Sequence, residues 1–321
     1  MDDFKHKPIN LEEDSFRIIR LFKGKNEPIS CELIHARLHD VKDLIEYEAL
    51  SYTWGDTCNQ HIIKVDEKEM LVTENLFLAL LHLRYEYEDR ILWIDAISID
   101  QNNVKERGHQ VRQMGSIYGH AERVVIWLGP ATLATDVVMS SMQLLAREAN
   151  KHACRRWEVS DKRWYKLWSI GQPLSPDSFH EGFIIQQREG MDTLLSRPWF
   201  KRVWIIQEVA NARSAKVVCG TKSISTHIFA IYPSLLDVEP ESHCQAILDI
   251  MPGPARNSSW WIENRSLHTL LLKFRGSEAT DPRDIVYALI GMSSDGSSTD
   301  KLVPDYDKSM EEVVRDTVAF L

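Results

Sequence analysis

Apolar and polar positions alternate in "SFRIIRLF" (Ser15 to Phe22) and in "ISCELIHARL" (Ile29 to Leu38), and that period of two predicts a pair of strands. "YEALSYTW" (Tyr47 to Trp54) reads as a third strand, stopped by Gly55 and Asp56. "HIIKVDEKEMLVT" (His61 to Thr73) has the pattern of a polar hairpin. The period then changes: in "ENLFLALLHLRYEYE", Leu76, Ala79, Leu80 and Leu83 fall on one face of a helix. "RILWIDAISI" (Arg90 to Ile99) is apolar but for one acid in its middle, as expected of a strand buried on both faces. Asn103 with Glu106 predicts a capping box, opening a helix with Val104, Val111, Met114 and Tyr118 on its apolar stripe. "ERVVIWLGP" is the next buried strand, closed by Gly129 and Pro130.

From Ala131 the pattern loosens. A helix, "VVMSSMQLLAREA", is followed by a Trp-bearing stretch with Pro173 and Pro176, read as an insertion folding over the main sheet. "RPWFKRVWIIQEVA" (Arg197 to Ala210) predicts a single helix and "AKVVCG" (Ala215 to Gly220) a short strand. Helical pieces and Pro/Gly loops alternate afterwards, with "GSSTDKLVPDY" a loop and "SMEEVVRDTVAFL" a helix. The alternation of strands and helices predicts a parallel sheet with helices on both faces. Ligands in such folds bind at the carboxyl ends of the strands. That edge holds Trp54-Gly55-Asp56, Asp95 to Gln101, and the chain from Gly129 onward.

Composition narrows the class. Among 321 residues, 44% are hydrophobic and 26% charged, the balance of a soluble globular protein. A net charge of -9, with no Lys/Arg-rich block to offset it, argues against non-specific nucleic-acid binding. Five cysteines without a CxxC pair suit free thiols in a reducing compartment. The acidic start "MDDFKHKPINLEED" is no signal peptide, and no apolar run reaches membrane-spanning length. The expectation is a cytoplasmic protein without nucleic-acid or membrane partners. The dinucleotide, P-loop, serine-hydrolase and zincin motifs are all missing. His35 and His39 are four apart in a strand-like stretch without a third ligand, so no metal site is expected.

Three long blocks carry a resemblance: "YEALSYTWGD" (Tyr47 to Asp56), "LWIDAISIDQNNVKERGHQVRQMGSIYGHAERVVIWLG" (Leu92 to Gly129) and "RPWFKRVWIIQEVANA" (Arg197 to Ala212). They resemble the signature blocks of the fungal heterokaryon-incompatibility (HET) domain. "ATDPRDIVYALIGM" and "PDYDKSMEEVV" are similar to segments that usually follow. That family is associated with non-self recognition and programmed cell death, and is remotely similar to Toll/interleukin receptor (TIR) domains. The resemblance implies a TIR-like (flavodoxin-like) parallel sheet flanked by helices, with a mainly helical insertion and further helices at the C-terminal side. The implied layout is one domain over 1–321: strands in 1–46, a core in 47–129 and 197–220, an insertion at 130–196 and a helical extension at 221–321.

Many TIR domains cleave NAD⁺ with one glutamate on a helix, and "RPWFKRVWIIQE" occupies the corresponding place, ending in Glu208. NAD⁺ would then be a substrate, with no cofactor and no metal. Glu208 is the catalytic candidate; Ser51, Tyr52, Trp54, Gly55, Asp95, Arg202, Trp204 and Gln207 are the substrate-binding candidates. A carboxylate suits this chemistry because breaking the nicotinamide–ribose bond builds positive charge on the ribose. An aromatic face can stack the departing ring. On an unbroken helix Lys201, Trp204, Gln207, Glu208 and Asn211 share one stripe, opposite Val203, Ile206 and Ala210.

Each residue also has a plainer reading. Glu208 would be a solvated or salt-bridged surface acid paired with Lys201 or a neighbouring Arg, Asp95 a salt-bridged acid, Trp54 a core residue, and Asp281 in "DPRD" a helix cap. Gly55 supplies a turn of positive φ on either reading. Expected partners are NAD⁺ and either a second copy of the chain or an upstream receptor. In a non-catalytic alternative, Trp157, Trp164 and Trp168 would contact a partner protein.

Overall fold

The computed structural model describes residues 3–39, 45–56, 58–152, 154, 157–172, 178–296 and 302–321. The chain divides into two compact units, one of Met1–Pro130 with Asn211–Ser214, the other of Ala131–Ala210 with Ala215–Leu321.

Among its described residues the first unit contains seven strands: β1 (Ser15–Leu21), β2 (Ser30–Arg37), β3 (Glu48–Ser51), β4 (Gln60–Val65), β5 (Lys68–Thr73), β6 (Arg90–Trp93) and β7 (Arg123–Trp127). Their order is β5-β4-β2-β1-β6-β3-β7. The parallel part is β6-β3-β7, with Ala49 opposite Trp93 on one side and Val124 on the other. The rest is mixed, which corrects the expectation of a parallel sheet. β1 runs antiparallel to both β2 and β6. The short connection from Leu21 to Ser30 is too small for the crossover that parallel neighbours need. β4 and β5 form the expected hairpin. Its two turn residues, Asp66 (φ 49°) and Glu67 (φ 63°), are both left-handed, the geometry that matches the twist of the strands.

Three helices complete this unit. α1 (Glu74–Leu83) is capped by the Thr73 hydroxyl and buries Leu76, Ala79, Leu80 and Leu83, the predicted four. The run Arg90–Ile99 is not one strand: β6 ends at Trp93 and Asp95–Ser98 turns as a short helix, α2. Asp95 causes the break locally, since its Oδ1 accepts the Ala96 amide at 2.7 Å. α3 (Val104–His120) is rotated from the predicted stripe. Val104 is 67% exposed, while Glu106, His109 and Gln110 turn inward with Met114, Ile117 and Tyr118. The inward side chains reach carbonyls of the preceding segment: Gln110 Nε2 donates to the Ser15 carbonyl and the His109 ring meets the Glu13 carbonyl. The capping box is half formed. Asn103 accepts the Glu106 amide, but the Glu106 carboxylate binds Arg17 at 2.6 and 3.0 Å.

The second unit holds β8 (Ala215–Cys219) and β9 (Lys222–Ser225), an antiparallel hairpin, among helices. These are α4 (Leu133–Lys151), α5 (Arg163–Ile170), α6 (Ser178–Leu195), α7 (Trp204–Ala210), α8 (Thr226–Leu235), α9 (Ser242–Ile250), α10 (Pro254–Asn257), α11 (Trp260–Glu263), α12 (Leu267–Lys273), α13 (Asp284–Ile290) and α14 (Met310–Phe320). α4 packs on α6, α8 and β9. The α4–α6 approach is nearly backbone to backbone: a Cβ on Gly190 would lie 2.3 Å from the Ala134 carbonyl oxygen. A buried polar chain joins α8, α6 and Gln172, just past the end of α5. Tyr232 donates to Gln187 Oε1 at 2.7 Å and Gln187 donates to Gln172 at 2.9 Å. Pro173 and Pro176, and residues 297–301 of the expected loop, lie outside the described residues.

The segment Arg197–Ala210 is not one helix. A 3₁₀ turn spans Pro198–Lys201, Arg202 is extended, and α7 begins at Trp204. A bridge between Arg202 and Glu278 breaks the helix: the Val203 amide donates to the Glu278 carbonyl at 3.1 Å. Lys201 therefore leaves the stripe and pairs with Glu278.

Candidate functional site

The candidate residues fall in both units, and each unit offers its own constellation. In the first, parallel pairing of β6, β3 and β7 aligns their carboxyl ends. Trp54 follows β3 and Asp95 follows β6; the Trp54 indole donates to Asp95 Oδ2 at 2.8 Å. The partner of Asp95 is thus an indole, and the expected salt bridge is replaced by that bond and the Ala96 amide. Trp54 is 39% exposed, so it is an edge residue and not a core one. Gly55 has φ +80°, as anticipated, and a Cβ there would sit 3.2 Å from Asn75 Cβ. Ser51 and Tyr52 are buried beneath this edge.

Asn75 was missed by the sequence reading. It donates to the Thr53 carbonyl at 2.6 Å and accepts the Trp127 indole at 3.0 Å, joining the ends of β3 and β7 through the start of α1. Only its place as the second residue after the Thr73 cap hinted at this. Gln101 binds the Asp95 carbonyl, and Asp100 accepts the Asn102 amide in a turn.

In the second unit α7 brings Trp204, Gln207 and Glu208 together. Glu208 is 2% exposed, which rules out the surface acid paired with Lys201. Gln207 donates to the Ala288 carbonyl at 2.8 Å, fixing α7 against α13. The half-buried Trp204 donates its indole N–H to Asp284 Oδ2 at 3.1 Å, and Tyr306 donates to Asp284 Oδ1 at 2.6 Å. Burial pushes the Asp284 carboxyl above its ordinary range, against the lowering effect of those two hydrogen bonds. Asp281 is not the helix cap expected: α13 starts at Asp284 with Arg283 at its N-cap position, and Asp281 instead accepts the Arg283 amide and pairs with the Arg283 guanidinium. Arg283 also donates to the Tyr306 and Lys308 carbonyls. The Asp284 role was not readable in "DPRD", because its indole and phenol partners come from distant positions in the chain. Arg202 contributes its backbone to the Glu278 bridge.

Two of the three insertion tryptophans are turned inward: Trp164 and Trp168 are 1% and 6% exposed, Trp164 packs edge-on against His227, and Trp157 is half-buried. Among the described residues no group of three or more His, Cys, Asp and Glu is arranged to hold a metal ion. His39 is paired with Asp14. None of the five cysteines is in a disulfide, and no helix among the described residues is long and apolar enough to cross a membrane.

These observations define a mixed α/β protein with an indole–carboxylate edge in one unit and a buried acid on a short helix in the other. Residues 47–208 match the family model described as heterokaryon incompatibility protein (HET). The chain belongs to that family. It is also similar to heterokaryon incompatibility protein 6, OR allele, of Neurospora crassa, with 27% identity covering 82% of this chain and 45% of the relative. The chain thus spans less than half the length of that curated relative. No solved structure matches it.

Proposed function

We propose that this chain is a cell-death effector in non-self recognition, acting by hydrolysis of NAD⁺ at the nicotinamide–ribose bond with Glu208 as the working carboxylate. The observation that carries the reading is the burial of Glu208, 2% exposed on a helix whose Ile205, Ile206 and Val209 are also buried. A carboxylate kept from water interacts strongly with charge developing nearby, and a ribosyl oxocarbenium is such a charge. In the reaction the bond from ribose C1′ to the pyridinium nitrogen breaks, and its electron pair leaves with neutral nicotinamide. Water adds to C1′ and loses one proton, giving ADP-ribose. The leaving group needs no general acid, so one carboxylate suffices.

Enclosure of Glu208 accords with an enzyme that is silent until molecules assemble, which is also where the TIR-like reading points. Nicotinamide release by purified protein, free and artificially clustered, tests this beside Glu208→Gln. The expected result is release by the clustered wild type and at least about a hundredfold less by the variant. Equal release by both, with the variant folded, would remove Glu208 from the chemistry.

One observation favours a binding role instead. On α5, Tyr165 and Ile170 are 61% and 56% exposed beside the buried Trp164 and Trp168. Loss of toxicity on Tyr165→Ser with Ile170→Ser, but not on Glu208→Gln, would replace the enzyme with a partner-docking module.

A further inference from the structure

We infer that Asp284 is a positioning residue for Trp204, fixing the plane of the indole as a stacking wall for a planar ring of NAD⁺ on the helix that carries Glu208; this rests on the function proposed above. Trp204 and Glu208 are four residues apart on α7, about 40° of rotation, and so lie one turn apart on neighbouring faces. The indole N–H has a defined acceptor, Asp284 Oδ2 at 3.1 Å. The other carboxylate oxygen is held by the Tyr306 hydroxyl at 2.6 Å, so the carboxylate has a fixed orientation of its own.

A second tie prevents α7 from sliding along α13. Gln207 reaches the Ala288 carbonyl at 2.8 Å, one turn beyond Asp284. The pairs 204 with 284 and 207 with 288 therefore lock two adjacent turns of the helices in register. The neighbouring cation is committed elsewhere: Arg283 pairs with Asp281 and donates to the Tyr306 and Lys308 carbonyls. Neutral donors hold Asp284, which agrees with the direction in which burial moves it.

Stacking a planar ring on an indole gains most when the ring plane is set in advance, since no orientational freedom is then lost on binding. Losing the acceptor should then weaken NAD⁺ binding without touching the bond-breaking step. The variants are Asp284→Ala, which removes the acceptor, Asp284→Asn, which keeps one oxygen for the indole, and Trp204→Phe. Each is measured in the clustered full chain for kcat and KM, and in the Glu208→Gln background for NAD⁺ affinity by calorimetry.

Expected are a rise in KM and Kd of about tenfold for Asp284→Ala and for Trp204→Phe, with kcat within about threefold. Asp284→Asn should recover most of the loss, and Asp284→Ala with Trp204→Phe should be no worse than either alone. Unchanged KM and Kd in Asp284→Ala would overturn the positioning role while leaving Glu208 in place. A fall in kcat at constant KM would overturn it too, since it would make Asp284 part of the chemistry. If Asp284→Ala is too unstable to assay, an unchanged Kd in Trp204→Phe decides against the inference. Altered Kd in Asp284→Ala with full turnover by Glu208→Gln would keep the wall and sink the catalytic carboxylate. Absence of NAD⁺ binding in every protein overturns both.

Discussion

Glu106 and Asp284 are both acids held inside their units, and they are held in opposite ways. In the first unit Glu106 takes two hydrogen bonds from Arg17 and one from the Asp100 amide, and both members of the pair are at most 2% exposed. Burial alone would raise its pKa; the guanidinium and the amide overcome that and bring it below the ordinary carboxylate range. In the second unit Asp284 meets an indole and a phenol, and burial wins. A guanidinium makes a buried carboxylate permanent and structural, whereas neutral donors leave it oriented but unneutralised. The Arg17–Glu106 pair also holds backbone: Arg17 binds the Ser98 carbonyl, at the end of the turn that starts with Asp95. The paired acid of the first unit thus builds its carboxyl edge, while the second unit's acid holds an indole directly.

The largest effect should come from breaking the paired acid. Glu106→Gln leaves a buried guanidinium without its counter-charge and should cost ~3–5 kcal/mol in denaturant unfolding. A loss under 1 kcal/mol would mean that Arg17 reaches water and that the contrast with Asp284 is one of degree. Replacing both partners, Arg17→Met with Glu106→Leu, should cost much less than Glu106→Gln alone, because no charge is then stranded. A double variant as unstable as the single would point instead to the carbonyls that Arg17 binds at Ser98 and Lys7.

A smaller effect is expected at the indole–carboxylate bond of the first unit. Asp95 is only half-buried, so water can replace the lost donor in Trp54→Phe. Stability should fall by about 1 kcal/mol or less, measured by the same unfolding curve. A loss well above that would place Trp54 among the residues that hold β3 and β6 together, and would weaken its reading as an edge available to ligand.

Where local pattern decides the structure, the sequence was sufficient. The four buried positions of α1 and the left-handed Gly55 needed nothing from outside their own segments. The carboxyl-edge placement of Trp54 and Asp95 followed from strand order alone. Distant partners defeated the rest. The helix at Arg197–Ala210 is broken by Glu278, and α3 is turned by polar side chains whose acceptors lie before Phe16. Asp284 was hidden for the same reason, since Trp204 and Tyr306 flank it at 80 and 22 residues' remove. Periodicity sees which positions are apolar; it does not see a polar residue whose partner comes from another part of the chain.

The smallest effect is the sharpest test of the comparison, because its sign differs between the two acids. Glu106 binds fewer protons folded than unfolded in the window below its ordinary 4.5, so its contribution is complete above that value and lost as the pH falls through the depressed folded value. Asp284 behaves oppositely. Folding holds its proton more tightly, so the folded state carries no penalty below the ordinary 3.8 and acquires one as the pH rises through the elevated folded value. Relative to wild type, Glu106→Gln should therefore become increasingly unstable from acid toward neutral pH, while Asp284→Asn should gain over the same interval. Unfolding free energies of the three proteins at closely spaced pH values from 3 to 7 read both slopes. Slopes of the same sign would mean that Asp284 has a cationic partner in solution, and the distinction between a neutralised acid and a merely oriented one would fall.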